Sequence, residues 1–352
     1  MEDLQAEGLA PMVSVVVPTV GRSPWLRQAI QSALQQSYAN CEVVVVDDSA
    51  DGFGECPRGL EWDLDKGKRL RVIHSGGVGG SAARNAGVKA SRGEWIAFLD
   101  DDDEWMPDKL QRQMEVALRS EEEFAVVSCR VVVRTPRSEY VFPRRVYGGE
   151  ERIEEYLFCR KGWAVGGGFV QTSTLLARRE LLLRTPFAAG LIVHQDWDWL
   201  LRASREEGVR IRMLDEPLVV YRTEDGRGTV SRNVDWRTSL NWVRGHAWRM
   251  EPRAYSWFIA VQCAWKARAA GASRREWAEI VWSFCFEGRP TVRAAMHFAF
   301  FVWFPAVWRK RIRDAAWRRS ATAKGKNGGE RWRLVSRPRT LSRCLRGVIW
   351  MK

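Results

Sequence analysis

The chain has 352 residues, 45% of them hydrophobic, so it is long enough for one large domain or two ordinary ones. Its seven cysteines are odd in number, widely spaced and form no CxxC pair, which excludes a disulfide framework or a cysteine zinc site and indicates a reducing compartment. The formal net charge of +13 is distributed unevenly along the chain.

Charge and tryptophan content both change after residue 230. Residues 231–352 hold 26 lysines and arginines against 7 aspartates and glutamates, whereas residues 1–230 hold 30 against 36. Twelve of the 19 tryptophans also lie after residue 230. An acidic part followed by a strongly basic part predicts a nucleic-acid or membrane-surface partner for the basic part.

The first 120 residues alternate predicted strands and helices. Short apolar runs predict buried strands, and apolar residues at helical spacing predict the helices between them. In chain order the elements are strand Met12–Val17, a helix to Leu34 that opens at Ser23 and Pro24, strands Cys41–Val46 and Leu70–Ile73, helix Ser81–Ala90, strand Trp95–Leu99 and helix Pro107–Arg119. This alternation is typical of an α/β fold with a largely parallel sheet and helices on both faces.

Carboxylates follow two of these strands. Asp47 and Asp48 come after the second strand, and four consecutive aspartates, Asp100–Asp103, come after the fourth. Because the carboxyl ends of parallel strands share one edge of a sheet, both sets are expected to face one ligand-binding crevice. Four adjacent carboxylates repel one another unless something positive lies among them, and a divalent cation carrying a phosphate-bearing ligand fits that need. The alternative is a solvated acidic turn that caps the next helix.

Predicted strands continue to about residue 221 and then stop. The later elements are strand Ala125–Val133, helix Glu150–Phe158, strand Thr174–Ala177, a helix that opens at His194, strand Val209–Tyr221, and the amphipathic helices Arg232–Ala270 and Arg274–Phe286. The apolar segment Ala294–Trp308 is shorter than the ~20 residues that span a bilayer. The predicted division is an α/β domain of residues 1–230 and a helical, Trp- and Arg-rich basic region of residues 231–352.

Six sequence elements occur in an order that resembles one enzyme family. They are VSVVVPTVGR, VVVVDDS, GGSAARNAG, GEWIAFLDDDDEWMPDKL, QTSTLLARREL and HQDWDWLLR. Over residues 12–222 this succession resembles the family-2 glycosyltransferases, which implies a GT-A fold with a mainly parallel central sheet and a C-terminal helical extension. It further implies inverting transfer of a sugar from a nucleotide diphosphate, most often UDP, with Mg²⁺ or Mn²⁺ as cofactor. The QxxRW element of the processive synthases does not occur, so a polysaccharide synthase is not expected.

The resemblance also implies roles for individual residues. The residues implied to bind the nucleotide-sugar donor, from base to ribose, are Pro18, Thr19, Arg22, Asp48, Arg84, Asp100 and Asp101. Asp102 would be the metal ligand, because it belongs to the DxD element whether the element is read as 100–102 or 101–103. Asp103 would then orient its neighbours or lead into the next helix. Asp196 matches the catalytic base, with Gln195 at a position where many members carry glutamate.

The chemistry explains why carboxylates are needed at two places. A divalent ion at Asp102 would stabilise the charge on the departing diphosphate, while an acceptor hydroxyl needs a base on the opposite face of the sugar. Trp197 and Trp199 would desolvate Asp196 and raise its pKa. The simpler alternative is that Asp196 only caps its helix.

Other candidate residues have equally simple alternatives. Asp48 would then belong to a turn, and Arg84 would be a solvated helix residue. His194 either orients an acceptor or is a surface histidine. The hydroxyls of Thr172–Thr174 either line the acceptor site or form local hydrogen bonds.

Two other functional classes are compatible with parts of the sequence. Gly77–Ala82 fits the G-x-G-x-x-A pattern of dinucleotide-binding enzymes, but it lies in a third βα unit and leaves Asp48 and most of the aspartate tract unexplained. The basic, Trp-rich region suits nucleic acid or an anionic membrane surface, as in a binding protein with a degenerate nucleotide-binding domain.

With a sugar transferase upstream, the membrane is the expected partner and nucleic acid is not. The predicted acceptor is a glycan or a lipid-linked molecule at the inner face of a bacterial cytoplasmic membrane, where a surface glycan would be built. The alternatives for the basic region are a plain helical subdomain or a surface for self-association.

Overall fold

The computed structural model of the protein describes residues 10–21, 23–50, 69–136, 138–162, 167–223 and 235–303. These residues belong to one compact unit, Met1–Phe304. Arg22, residues 51–68 and residues 304–352 lie outside the described part, so the predictions made for them keep that status.

The first half of the sheet is parallel, as the sequence predicts. Its strands are β1 Val13–Thr19, β2 Cys41–Asp47, β3 Leu70–His74 and β4 Trp95–Phe98, in the spatial order β3-β2-β1-β4. Two helices, α1 Leu26–Leu34 and α2 Gly80–Ala90, cover opposite faces of these strands. Val15 of β1 packs in the core beneath α1 and Val16 in the core beneath α2, because successive strand side chains point to opposite faces.

The second half of the sheet mixes parallel and antiparallel pairs. Its strands are β5 Glu104–Trp105, β6 Phe124–Arg134, β7 Glu139–Phe142, β8 Leu176–Arg178 and β9 Val209–Arg222. The order continues from β4 as β8-β6-β9-β5, with β7 paired to β6. β8 is antiparallel to both β4 and β6, while β9 is parallel to β6. The α/β fold is confirmed, and the parallel arrangement is confirmed for the first half of the sheet alone.

Four further helices accompany this half of the described sheet. They are α3 Lys109–Leu118, α4 Ile153–Phe158, α5 Arg179–Arg184 and α6 Gln195–Ala203. The sequence predicts α3, α4 and α6 but misses α5, β5 and β7, which are too short to show a periodic pattern. Residues Thr172–Thr174 form a 3₁₀ turn, and the strand predicted to begin at Thr174 begins instead at Leu176.

After β9 the described chain is helical. The elements are α7 Trp236–Gly245, a 3₁₀ turn Ala247–Arg249, α8 Pro252–Phe258, a π-helical segment Ile259–Cys263, α9 Ala264–Ala269, α10 Arg274–Trp282, a second π-helical segment Ser283–Glu287 and α11 Val292–Trp303. The prediction of a single helix over Arg232–Ala270 is therefore wrong. The helix is interrupted before Pro252, which occupies the first turn of α8. Within the described ranges, every helix is too short or too polar to cross a bilayer.

The C-terminal helices share a core with the α/β part. Trp236 and Phe258 are buried in the same cluster as Phe158 of α4 and Trp199 of α6. Most of this cluster is aromatic and aliphatic, which is the arrangement expected of helices packed directly on a sheet domain. The boundary predicted near residue 230 stays a prediction, but the described residues on its two sides pack together.

Candidate active site

The carboxyl ends of β1, β2 and β4 lie at one edge of the sheet and carry the predicted donor residues. Thr19 ends β1, Asp48 follows β2 and Asp100–Asp103 follow β4. The Oγ1 atom of Thr19 donates a hydrogen bond of 2.5 Å to Oδ2 of Asp101, and Oγ of Ser23 donates to the main-chain oxygen of Asp101 at 2.8 Å. The structure thus brings Thr19 and the aspartate tract together.

Two other predicted donor residues flank Thr19. Pro18 is a buried residue of β1 and is paired in register with Val46 of β2. It is therefore part of the strand itself and not of the turn that follows. Arg22 lies outside the described residues, and its role stays a prediction. Between them, the main-chain N–H of Gly21 donates to Oγ1 of Thr19 at 2.9 Å, so this hydroxyl also fixes the turn that leaves the strand.

Asp48 holds the glycine-rich loop that precedes α2. Its Oδ1 atom accepts hydrogen bonds from Oγ of Ser75 and from the N–H of Val78, both at 2.8 Å, and its Oδ2 accepts from the N–H of Gly79 at 2.8 Å. Gly79 has a φ of +88°, a conformation that glycine adopts without strain. The N–H groups that a dinucleotide pattern would offer to a pyrophosphate therefore point at Asp48. The predicted contact between Asp48 and the donor base stays a prediction.

The four aspartates differ in their surroundings. Asp103 is fully buried, and its Oδ2 accepts hydrogen bonds from Oγ of Ser173 at 2.6 Å and from Nε2 of Gln171 at 2.8 Å. The same Gln171 amide donates to Oδ2 of Asp100 at 3.0 Å and so joins two carboxyl groups. Burial, followed by the negative charges of Asp102 and Asp100, holds the pKa of Asp103 well above its usual range. Asp103 is therefore protonated more readily than an exposed aspartate, and its hydrogen bonds to Ser173 and Gln171 anchor the aspartate tract.

Asp101 and Asp102 form the turn between β4 and β5 and are partly exposed. Within the described ranges, no group of three or more His, Cys, Asp or Glu side chains is arranged to hold a metal ion. Mg²⁺ commonly takes one or two protein carboxylates and completes its shell with phosphates and water. The oxygen donors at this turn therefore fit an ion that is shared with a phosphate-bearing ligand, and they do not fit a metal held by protein side chains alone.

Arg84 of α2 connects the aspartate tract to α6. One terminal nitrogen of its guanidinium donates to Oδ1 of Asp100 and the other to Oε1 of Gln195, each at 2.6 Å. The residue is 8% exposed, so the alternative of a solvated helix residue is wrong. Gly80 leaves room for this bridge, because a Cβ atom there would lie 3.2 Å from Arg84 and 3.3 Å from Gln195. A cation thus lies between the predicted donor end and the residue next to the predicted base.

Asp196 lies in the first turn of α6, where the helix dipole favours a negative charge. The helix cap is His194, so Asp196 is not the capping residue. Its Oδ1 atom accepts the N–H of Trp197 at 2.9 Å. Burial raises the pKa of Asp196 to about 6, opposed by that hydrogen bond and by the charge of Arg84. A partly accessible carboxylate with this pKa is suited to accept a proton from a hydroxyl at neutral pH.

His194, two residues before Asp196, is packed among aromatic rings. Its ring stacks on Trp197 at a centroid distance of 4.9 Å and also contacts Trp242 at 4.9 Å and Phe258 at 5.4 Å. Its Nε2 atom lies 3.0 Å from Oγ of Ser239. Burial, more than the neighbouring positive charges, lowers its pKa to about 3, so the ring is neutral. The alternative of a surface histidine is therefore wrong.

The backbone at His194 is unusual as well. Its φ of +65° is the one positive value at a non-glycine residue in the described chain. Such a conformation costs free energy and persists where the surrounding packing holds it. Here the packing comes from α7 and α8, so the C-terminal helices fix the backbone from which α6 and Asp196 begin.

Sequence reasoning misses two residues of the site, Gln171 and Tyr221, and names Ser173 only as a residue that lines the acceptor site or forms local hydrogen bonds. Gln171 and Ser173 donate hydrogen bonds to Asp103, as described above, and Tyr221 is the last residue but one of β9. Burial raises the pKa of Tyr221, and so do the negative charges of Asp103, Asp102, Asp100 and Asp196. No local signal marks Tyr221. The polar run QTST could have indicated buried hydrogen-bonding side chains.

The sequence matches, over residues 14–182, the family described as Glycosyl transferase family 2. The amylovoran biosynthesis glycosyltransferase AmsB of Erwinia amylovora is 30% identical over 236 residues, which cover 65% of this chain and 76% of that protein. The uncharacterized glycosyltransferase EpsJ of Bacillus subtilis is 32% identical over 225 residues, which cover 61% of this chain and 62% of that protein.

A solved structure has a similar fold. The structure of residues 1–349 of S. aureus TarS in complex with UDP-GlcNAc matches with a TM-score of 0.57 at 17% sequence identity, covering 88% of this chain and 92% of that one. At this identity the similarity concerns the fold alone.

Proposed function

The chain belongs to glycosyltransferase family 2, and from this premise we propose that it is an inverting, metal-dependent enzyme with Asp196 as its base. Family membership makes it a glycosyltransferase. The finer proposal rests on the proximity of the proposed base, Asp196, to the proposed donor residues. A carboxyl whose pKa is raised to about 6 lies close enough to Asp100 and Arg84 for both to shift that pKa.

The proposed reaction needs one base and one donor site. Asp196 takes the proton of an acceptor hydroxyl, and the hydroxyl oxygen attacks the anomeric carbon of the donor sugar. The bond from that carbon to the phosphate oxygen breaks, and the nucleoside diphosphate leaves with the bonding electrons. A single displacement of this kind inverts the anomeric configuration and needs no second carboxylate as nucleophile.

The donor is proposed to bind at the carboxyl ends of β1, β2 and β4. Asp100 and Asp101 would contact the ribose, and Asp102 would hold Mg²⁺ or Mn²⁺. When bound, that ion supplies charge stabilisation for the departing diphosphate. Arg84 would contribute a second positive charge beside the same phosphates. TarS is bound to UDP-GlcNAc, which supports a UDP-sugar as the first donor to test.

The acceptor is proposed to be a hydroxyl of a glycan or of a lipid-linked molecule in surface polysaccharide biosynthesis. The relative AmsB is named for amylovoran biosynthesis, which supports this choice. Tyr221, whose pKa is raised by the charge of Asp196 among others, and His194, whose ring stacks on Trp197, are proposed to line the space that the acceptor enters.

Peripheral association with the inner face of an anionic membrane is proposed for the C-terminal helices. On α11, the exposed residues Val292, Ala295, Met296, Ala299 and Trp303 recur at helical spacing and form one apolar stripe. The residues that follow, 304–352, hold 15 lysines and arginines against 2 aspartates and glutamates. An apolar helix face that is followed in the sequence by a basic segment matches the chemistry of an anionic lipid surface.

The catalytic proposal is tested with a panel of nucleotide sugars and Mn²⁺, scored by nucleotide release. We expect release from one donor class, dependence on added divalent metal, and inhibition by the matching nucleoside diphosphate. Full activity in the presence of a chelator would exclude the metal dependence while leaving the enzyme class intact.

Membrane association is tested by co-sedimentation with vesicles of phosphatidylcholine alone and with added phosphatidylglycerol. We expect binding to the anionic vesicles and a severalfold loss in Trp303→Ala. Trp248→Ala is the matched control, because Trp248 is equally exposed but lies outside α11. A wild-type chain that stays in the supernatant with anionic vesicles at low salt contradicts the proposal.

A further inference from the structure

A second cavity lies where α4, α5, α6 and the 3₁₀ turn before α8 meet. Its volume is about 530 Å³, which is within the size of small-molecule sites. Arg202 in its wall is six residues beyond Asp196, so it lies about 9 Å further along α6 at 1.5 Å per residue. The cavity is therefore at the opposite end of the helix that begins with the proposed base, and none of the donor residues lines it.

The wall of this cavity is rich in arginine. The five arginines are Arg152, Arg184, Arg202, Arg205 and Arg249, against Glu206 and Glu251. Carboxylates behind the wall orient some of these guanidinium groups. Arg205 is paired with the fully buried Glu154 at 2.7 Å, and Arg202 with the buried Asp198 at 2.7 Å. Because a guanidinium has five N–H donors, a carboxylate on one side leaves others for a second anion.

Arg249 differs from the other arginines of the wall. Within the described ranges it has no ion pair, and its guanidinium lies over the ring of Trp248, 3.9 Å from the centroid. Trp248 is 75% exposed, so much of its ring is open to solvent. An exposed tryptophan ring next to an unpaired arginine can bind a ligand that is both flat-faced and negatively charged.

Thr185 fixes one side of the cavity to the protein core. It lines the cavity and is 4% exposed, yet its Oγ1 atom has no hydrogen-bond partner among the described residues. The Oγ1 atom itself is buried, so it is not open to the cavity. Its main-chain oxygen accepts the indole N–H of Trp199, which fixes Thr185 to the core.

We propose that this cavity is a second, non-catalytic site that binds an acidic saccharide, a sugar unit bearing a carboxylate or a phosphate. The anionic group would pair with Arg249 and neighbouring guanidinium groups, and a sugar face would stack on Trp248. The site would hold part of a glycan chain away from the reacting end. This inference rests on the proposed function for the expectation that the protein meets glycan chains, but binding here needs no donor and no turnover.

The experiment measures binding to the full-length protein without a donor or metal. The probes are tetragalacturonate, a glycerol-phosphate oligomer of similar length, the neutral maltotetraose and inorganic phosphate, each followed by calorimetry. We expect both acidic oligomers, or one of them, to bind more than tenfold tighter than maltotetraose and inorganic phosphate. The comparison between the two oligomers tells whether the recognised group is a carboxylate or a phosphate.

The variants locate the binding. Trp248→Ala and Arg249→Ala should each lower the affinity for the acidic probe by about tenfold. The first removes a stacking contact and the second a charge-assisted hydrogen bond. Trp303→Ala is the matched control and should bind as the wild type does. Asp196→Asn should bind normally as well, which separates failure of this site from failure of the catalytic proposal.

Three outcomes overturn the inference. Equal affinity for maltotetraose would show that charge plays no part in binding, and equal affinity for inorganic phosphate would indicate a nonspecific anion site. Unchanged affinity in both Trp248→Ala and Arg249→Ala, with circular dichroism showing folded protein, would place any binding elsewhere.

Discussion

The two ends of the candidate site differ in their hydrogen bonds. At the donor end, Gln171 donates to both Asp100 and Asp103, and Ser173 also donates to Asp103. At the base end, the carboxyl of Asp196 accepts one hydrogen bond, from the main-chain N–H of Trp197. The carboxyl groups of the donor end are therefore joined by a hydrogen-bond network at the carboxyl edge of the sheet. The base end is a carboxyl in the first turn of a helix, whose start is held by aromatic packing from α7 and α8.

This difference suits the two tasks. A donor site must hold several phosphate and sugar oxygens in place, and a network with few alternative arrangements does so. A base must change its protonation state, and a carboxylate with few hydrogen bonds and a raised pKa can do that near neutral pH. Arg84 spans both ends and lets the charge of one influence the other.

The largest expected effect is at the base end. Asp196→Asn should lower turnover by about 10³-fold, because the amide cannot accept the hydroxyl proton, while donor affinity stays within about twofold. Nucleotide release and calorimetric donor binding measure the two quantities. Asp215→Asn is the control, since Asp215 is a carboxylate with 77% side-chain exposure, and its activity should be normal. A normal rate in Asp196→Asn would assign the base elsewhere.

At the donor end, two neighbouring aspartates should respond differently to the same substitution. Asp102→Asn should weaken metal-dependent donor binding by about 10²-fold, because it removes the charge that holds the ion. Asp103→Asn should stay within about threefold of the wild type, because the raised pKa of Asp103 already favours an uncharged carboxyl of nearly the same shape. Donor titrations with and without Mn²⁺ measure this. Equal losses in both variants would mean that Asp103 is ionised in the working enzyme.

The link between the ends is tested at Arg84. Arg84→Met keeps most of the side-chain volume but removes the hydrogen bonds to Asp100 and Gln195. We expect donor affinity and turnover each to fall by about tenfold, since hydrogen bonds to charged groups are among the stronger ones. The exposed Arg119→Met is the control. A loss confined to one of the two parameters would show that Arg84 serves one end alone.

The pH dependence should report the base rather than the donor network. Burial raises the pKa of Asp196 to about 6, and the base acts in its deprotonated form, so turnover should be level above that pH. Below it, turnover should fall by about tenfold per pH unit as the carboxylate takes up a proton. Asp103→Asn should leave this profile in place. A profile that shifts in Asp103→Asn would mean that the donor network limits the rate.

The two ends also differ in how far the sequence predicts them. The strands β1, β2 and β4 and the acidic residues after them follow from local patterns, because β-branched runs and a shared sheet edge need no distant contact. Gln171 and Tyr221, and the contact of the candidate Ser173 with Asp103, were not predictable in this way, since these residues are about 70 or more sequence positions away from the aspartates. The position of Asp196 came from the resemblance to a family rather than from its own pattern.

The geometry of His194 was the least predictable part of the base end. A left-handed conformation at a histidine has no local signal, and it depends on rings from α7 and α8 that come later in the chain. The same limit applies to the break before Pro252, which turns one predicted helix into two and lets Phe258 reach His194.

The smallest effect is expected where packing supports the base end. His194→Ala should lower turnover by about threefold without changing donor affinity, because the ring that holds the start of α6 is lost and Asp196 becomes less well positioned. His297→Ala is the matched control, since His297 is also buried against a tryptophan, at 4.9 Å from the Trp257 ring, but lies on α11. Both variants should lose thermal stability, and only His194→Ala should lose turnover. Equal turnover in the two variants would show that the C-terminal helices only stabilise the fold. The position of Asp196 would then be determined by the α/β part alone.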